Sequence, residues 1–197
     1  MFDKNLTNDE IIEITKNIQK LTEFDRVFLV KKNGEAVFST GDIINISDRD
    51  YFQNITTAKN KIEEVKDGVF DKDINLVITS VPIIKDNEVQ GAVCGTYKMS
   101  TFSSAVYNNV KDENGFVLLL NSSQEFLLNF STKDKEINEK NMWDFLSAVE
   151  VKGSNGIEKI KEDIFNSKSG FLEYSYKGNE EFAYYTPLGI NNWYVIS

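Results

Sequence analysis

The chain has no histidine, one cysteine, two prolines and no long hydrophobic run, and each shortage closes off a class of function. Without histidine there is no Ser-His-Asp triad, no Cys-His pair and no histidine-containing zinc site. Cys94 alone supports neither an internal disulfide framework nor a cysteine metal cluster, and nothing calls for a metal or cofactor. The longest purely aliphatic run, Val117-Leu118-Leu119-Leu120, is far short of the roughly 18 apolar residues that cross a bilayer. Phe2-Asp3-Lys4-Asn5 lacks the basic-then-apolar pattern of a signal peptide. Taken literally, such a chain is cytosolic; taken as an excised piece, it fits any compartment. Positive charge is scarce too, with 22 basic residues against 31 acidic and a net charge of −9. An acidic chain without a basic cluster is a poor match for nucleic acid. Only Arg26 and Arg49 carry the rigid guanidinium fork that grips carboxylates and phosphates.

What is present is a globular chain of 197 residues, 41% hydrophobic and 12% aromatic, long enough for one large domain or two small ones. Thr7 and Glu10 make a capping-box pattern, and Ile11, Ile14, Ile18 and Leu21 recur at helical spacing. Val27 to Val30 and Ala36 to Phe38 flank Asn33-Gly34, which predicts a hairpin with a type I′ turn. Ser47, with Asp50 three residues on, predicts a helix start whose buried side carries Tyr51, Phe52, Ile55 and Ala58. Leu76 to Val81 reads as a strand ended by Pro82, paired with Gly91 to Tyr97 across Lys85-Asp86-Asn87-Glu88.

The second half repeats the plan. Phe116 to Leu120 and Phe126 to Leu128 mirror the first hairpin, and two helical stretches follow near Met142 to Val149 and Ile157 to Phe165. Gly170 to Tyr176 turns into Phe182 to Tyr185, which Pro187 ends, and Trp193 to Ile196 closes the chain. The two prolines thus occupy matching places, each ending a β run before a final strand. The pattern implies two α+β modules, each an antiparallel sheet with helices packed on one face.

Ile46-Ser47-Asp48-Arg49-Asp50-Tyr51-Phe52, followed by Ile78 to Ile83 and Val89 to Val93, resembles the Cache sensor family. Ser169-Gly170-Phe171 and Tyr184-Tyr185-Thr186-Pro187-Leu188 to Asn192-Trp193-Tyr194 look like the membrane-proximal half of a double Cache ectodomain. The resemblance implies two tandem PAS-like domains on a long N-terminal helix. The stalk helix would span residues 1–24, a membrane-distal ligand-binding domain 25–112 and a membrane-proximal domain 113–197. It also implies an extracytoplasmic sensor excised from a receptor with flanking transmembrane helices, and the N-terminal helix as a homodimer surface.

The residues make their own argument for a pocket. Arg49 near a helix start places a guanidinium beside unpaired backbone N–H groups, a natural seat for a carboxylate. Tyr51 and Phe52 supply an aromatic wall and a hydroxyl. The alternative is a surface ion pair of Arg49 with Asp48 or Asp50, with Tyr51 in the core. The amino-acid-binding branch of the family carries an arginine followed by aromatics, a Tyr-x-Asp and a later aspartate for the ligand's amine. Here Arg49, Tyr51 and Phe52 match the first element in kind, Asp71 keeps the acid of the second, and Thr96 stands where the last aspartate is expected. The ligand-binding candidates are therefore Arg49, Tyr51, Phe52, Asp71 and Thr96, with a small carboxylate favoured over an α-amino acid.

Cys94, in an apolar strand, reads as a buried small hydrophobe, and the tyrosine-rich strands after Gly170 as core and sheet-face packing. The leading expectation is a non-catalytic ligand sensor. A ligand-free structural or dimerisation module comes second. A hydrolase built on Asp48, Asp50 and Asp71 comes last, since nothing supplies a nucleophile with a base.

Overall fold

A computed structural model describes residues 6–66, 68–70, 74–101, 116–131, 137, 139–153 and 156–197. The chain divides into two compact units, Met1–Phe102 and Ser103–Ser197, each with one six-stranded antiparallel sheet.

Unit 1 opens with helix α1 (Asn8–Lys20), started by the expected capping box: Glu10 N donates to Thr7 Oγ1 while Thr7 N donates to Glu10 Oε2. The strands are β1 (Arg26–Lys31), β2 (Glu35–Phe38), β3 (Ile43–Asn45), β4 (Lys61–Val65), β5 (Leu76–Lys85) and β6 (Glu88–Lys98), in the order β3-β2-β1-β6-β5-β4. Ile11 of α1 packs on Leu29 and Val37, on one face of the sheet. By the two-residue alternation of strands, Phe28, Val30, Phe38, Ile78 and Cys94 point to the other face. They form the main core there with Phe52 and Ile55 of the one-turn helix α2 (Phe52–Ile55). Helices thus lie on both faces of this sheet, not on one.

Three local expectations are corrected. The β1–β2 connection is not a type I′ turn, because Gly34 alone takes a positive φ, +86°. Gly34 N donates to Lys31 O and Asn33 Oδ1 accepts from Glu35 N, which closes a three-residue loop instead. Helix α2 starts at Phe52 and has no side-chain cap. Ser47 is already engaged, since both its N–H and its hydroxyl donate to Asn45 Oδ1; Ala58 is exposed beyond the helix. Pro82 does not end β5. The strand runs on to Lys85, with Pro82 opposite Ala92, past the point where β4 stops at the Lys61–Ser80 pair. A missing N–H is harmless where one side of the strand is already an edge. The β5–β6 turn is the expected tight one, with Asp86 and Asn87 both at positive φ.

Unit 2 contains β7 (Phe116–Leu120), β8 (Phe126–Ser131), α3 (Met142–Ala148), β9 (Glu150–Val151), α4 (Ile157–Phe165), β10 (Gly170–Tyr176), β11 (Asn179–Pro187) and β12 (Tyr194–Ile196). Its sheet order is β8-β7-β12-β11-β10-β9. Setting aside β3 and β9, both units have one plan, with first and last strands side by side at the centre. Phe145 and Leu146 of α3 and Ile160 and Ile164 of α4 pack on Leu118, Leu172, Tyr174 and Tyr185. One carboxylate is buried in this core. Asp163 of α4 accepts from Lys159 Nζ at 2.5 Å and from Tyr185 Oη at 2.8 Å, and these two, Lys159 foremost, hold its carboxyl below the usual range. Tyr194 Oη donates to Ile164 O at 3.2 Å, so two tyrosines of adjacent strands tie α4 to the sheet.

Candidate functional site

The site of unit 1 is a consequence of strand register. Arg26 pairs with Thr96, Thr96 with Ile78, and Ile78 with Glu63, so one row across β1, β6, β5 and β4 carries these four residues in turn. Side chains of one row share a face. Ile78 faces the main core, so this row runs a cation, a hydroxyl, an apolar side chain and an acid beneath the loop that leads into α2.

Tyr51 of that loop stands between two spaces. Inward is a pocket walled by Phe28, Phe38, Phe70 and Ile78, where Arg26, Tyr51 and Thr96 supply the polar groups. Its volume is about 20 Å³, room for a water molecule and nothing larger. Outward is an open cleft of about 470 Å³ between the loop and β4, lined by Arg49, Asp50, Asn54, Glu63 and Glu64. Burial pushes the Tyr51 phenol up from its ordinary value, and the Arg49 cation pulls it partly back. The Tyr51 hydroxyl is therefore neutral and a donor.

Thr96 Oγ1 is buried and has no hydrogen-bond partner among the described residues; Ser80 Oγ, farther along the same face, is in the same state. An unsatisfied buried hydroxyl costs about 1–3 kcal/mol, which an oxygen arriving in the pocket would recover. Phe70 stands nearly perpendicular to Phe38 at 5.0 Å, and the Arg26 guanidinium carbon lies 4.9 Å from the Phe70 ring centre. Cys94 is 1% exposed and burial pushes its thiol far up, so it is no nucleophile.

The expected residues are distributed as follows. Tyr51 and Thr96 meet in the inner pocket, and Arg49 meets Tyr51 in the outer cleft. Phe52 lies in the core, 7% exposed, where it anchors α2. Asp71 lies outside the described residues. Sequence reasoning missed Arg26 and Phe70. The signal for Arg26 was available: it stands two residues before Phe28 on one strand, so alternation places it on the core face. No such periodicity marks Phe70, which lies outside any helix or strand.

Among solved structures, the chain is similar to the extracellular domain of mmHK1S-Z3, assigned as a histidine kinase. The match has 18% identity and a TM-score of 0.66, and covers 96% of this chain and 78% of that one. It is also similar to the sensory domain of the Campylobacter jejuni chemoreceptor Tlp3 (CcmL) with isoleucine bound. There the identity is 15% and the TM-score 0.62, over 97% of this chain and 74% of that one. No curated protein matches the sequence. The family model described as a Cache domain (dCache_1) matches residues 3–197.

Proposed function

This chain belongs to the Cache domain family, and on that premise we propose that it is the extracytoplasmic sensor region of a transmembrane signalling receptor. Cache domains of this kind are non-catalytic ligand-binding modules of receptors. In this reading, residues 25–112 form the ligand-binding domain on a stalk helix at 1–24, and residues 113–197 form the membrane-proximal domain. No described helix is long and apolar enough to cross a membrane, so the spans would flank this region.

The ligand is a small carboxylate or a comparable small polar metabolite. One observation carries this: Arg26, Tyr51 and Thr96, the last with a hydroxyl that has no partner among the described residues, converge on a pocket with aromatic walls. Arg49 stands at its outer side, on the far side of Tyr51, as a second cation for an incoming anion. Thr96 supplies no charge for an ammonium group, which favours a carboxylate over an α-amino acid.

The test is a thermal-shift and calorimetric survey of small carboxylates on the whole chain. Losing a charge-assisted hydrogen bond costs about 1.5–3 kcal/mol, so Arg26→Gln and Arg49→Gln should each weaken binding about 10- to 150-fold. The reading fails if no carboxylate stabilises the protein, or if both variants respond as the parent does.

A ligand-free dimerisation module is the second reading. The small free volume of the inner pocket favours it, as do Ile14 and Ile18 of α1 with Leu21 at its C-terminal cap, 86% exposed. It requires Ile14→Glu to dissociate a dimer in sedimentation. The full-length gene product tests location and output: hydrophobic spans beside this region must be present.

A further inference from the structure

Phe70 is an anomaly in unit 1. Phe28 and Phe38 are 2% and 4% exposed, as core phenylalanines should be, whereas Phe70 is 39% exposed yet turned into the pocket. Among the described residues its ring lies against the Arg26 guanidinium carbon and the Phe38 ring, at 4.9 and 5.0 Å. Those are the contacts by which proteins hold a free aromatic ligand. With the ring in place the space beside Thr96 and Tyr51 shrinks to the size of a water molecule.

We propose that the Phe70 ring occupies the seat of the ligand's own ring, and that unit 1 binds a small aryl carboxylate which replaces it. The aryl group lies between Arg26 and Phe38. Its carboxylate accepts from the Thr96 and Tyr51 hydroxyls and from the edge of Arg26. A guanidinium has five N–H donors in its plane, enough to serve a carboxylate beside another partner. The Thr96 hydroxyl, without a partner among the described residues, gains one. Removing the Phe70 side chain leaves room for another ring in its place. This inference rests on the carboxylate reading of the same pocket and adds the ring.

In the parent, a ligand competes with Phe70 for the seat, and its apparent affinity falls by the fraction of molecules in which the seat is open. Two ring contacts of this kind favour the occupied arrangement by about tenfold. The experiment is calorimetric titration of the whole chain with phenylacetate, and with acetate and hexanoate as acids without a ring. The proteins are the parent, Phe70→Ala, Phe70→Leu and Phe70→Ala combined with Arg26→Gln. Circular dichroism establishes folding, which a side chain still 39% exposed should not control.

Phenylacetate should bind Phe70→Ala about tenfold or more tighter than the parent, Phe70→Leu in between, and the Arg26→Gln combination least. The aliphatic acids should gain little from either change at Phe70. Equal or weaker phenylacetate binding by Phe70→Ala, with carboxylates still bound, overturns the aryl seat and leaves the carboxylate reading standing. The same holds if hexanoate gains as much as phenylacetate. If no acid binds any of the proteins, both readings fall.

Discussion

Gly170 offers a sharp test of how unit 2 is packed. It pairs directly with Tyr185 across β10 and β11, and the tyrosine ring lies over it. A Cβ at position 170 would sit 2.3 Å from Tyr185 Oη, 2.5 Å from Cζ and 3.0 Å from Cε2. The ring has nowhere to go, being 1% exposed with its hydroxyl fixed on Asp163 at 2.8 Å. Overpacking of this kind costs about 1–3 kcal/mol, so Gly170→Ala should lower the melting temperature of unit 2 by roughly 10 °C. Both tryptophans, Trp143 and Trp193, lie in unit 2, so tryptophan fluorescence during thermal or urea unfolding reads that unit alone. In a Tyr185→Phe background the nearest offending atom is gone while Cζ remains. Gly170→Ala should then cost about 1 kcal/mol less than in the parent, a coupling a double-mutant cycle resolves. A cost below about 0.5 kcal/mol in the parent, or an unchanged cost in the phenylalanine background, would refute the argument that Tyr185 excludes a side chain there.

Asp163 should shape the acid limb of stability. Its carboxyl is held below the ordinary value of 3.8 by Lys159 first and Tyr185 second. The stabilisation is therefore complete above that ordinary value and is lost as pH falls through the lower folded value. Asp163→Asn should flatten the urea midpoint of unit 2 between about pH 5 and pH 2, and coincident acid limbs for the two proteins would contradict it. Cys94, buried and with its thiol pushed far up, should react with a thiol reagent at least about a thousandfold more slowly in the native protein than in denaturant. Prompt labelling would mean that β6 opens readily.

The legible parts of the fold were those written in local chemistry. The Thr7–Glu10 box, the Asp86-Asn87 turn and the two helices after β8 depend on neighbours in sequence, and a repeated order of elements exposed the two modules. The start of α2 was misread because two short-range patterns compete there. Ser47 suits a helix cap, but Asn45, two residues earlier, captures both its N–H and its hydroxyl. Pro82 was misread as an end because whether a proline breaks a sheet depends on where the neighbouring strand stops, which is a tertiary fact. In the site, a helix-start argument led to Arg49. Alternation along β1 puts Arg26 on the core face, but its neighbour Thr96 is set only when β1 pairs with β6, a contact 70 residues away in sequence. Phe70 acquires its place from Arg26 in turn.

The central pairing of first and last strands also dictates an order of assembly. In unit 1 the pocket row cannot form until β6 has been made, because Thr96 separates Arg26 from Ile78. In unit 2 the hairpin β7–β8 and the pair β10–β11 must wait for the three residues Tyr194–Ile196 to join them. Sheets closed by such distant pairings form slowly. During synthesis, then, each module emerges as separate hairpins with exposed inner edges, and becomes one sheet only when its final strand leaves the ribosome. The proposed pocket of unit 1 has no complete wall before that moment, so it appears in one step and not by degrees.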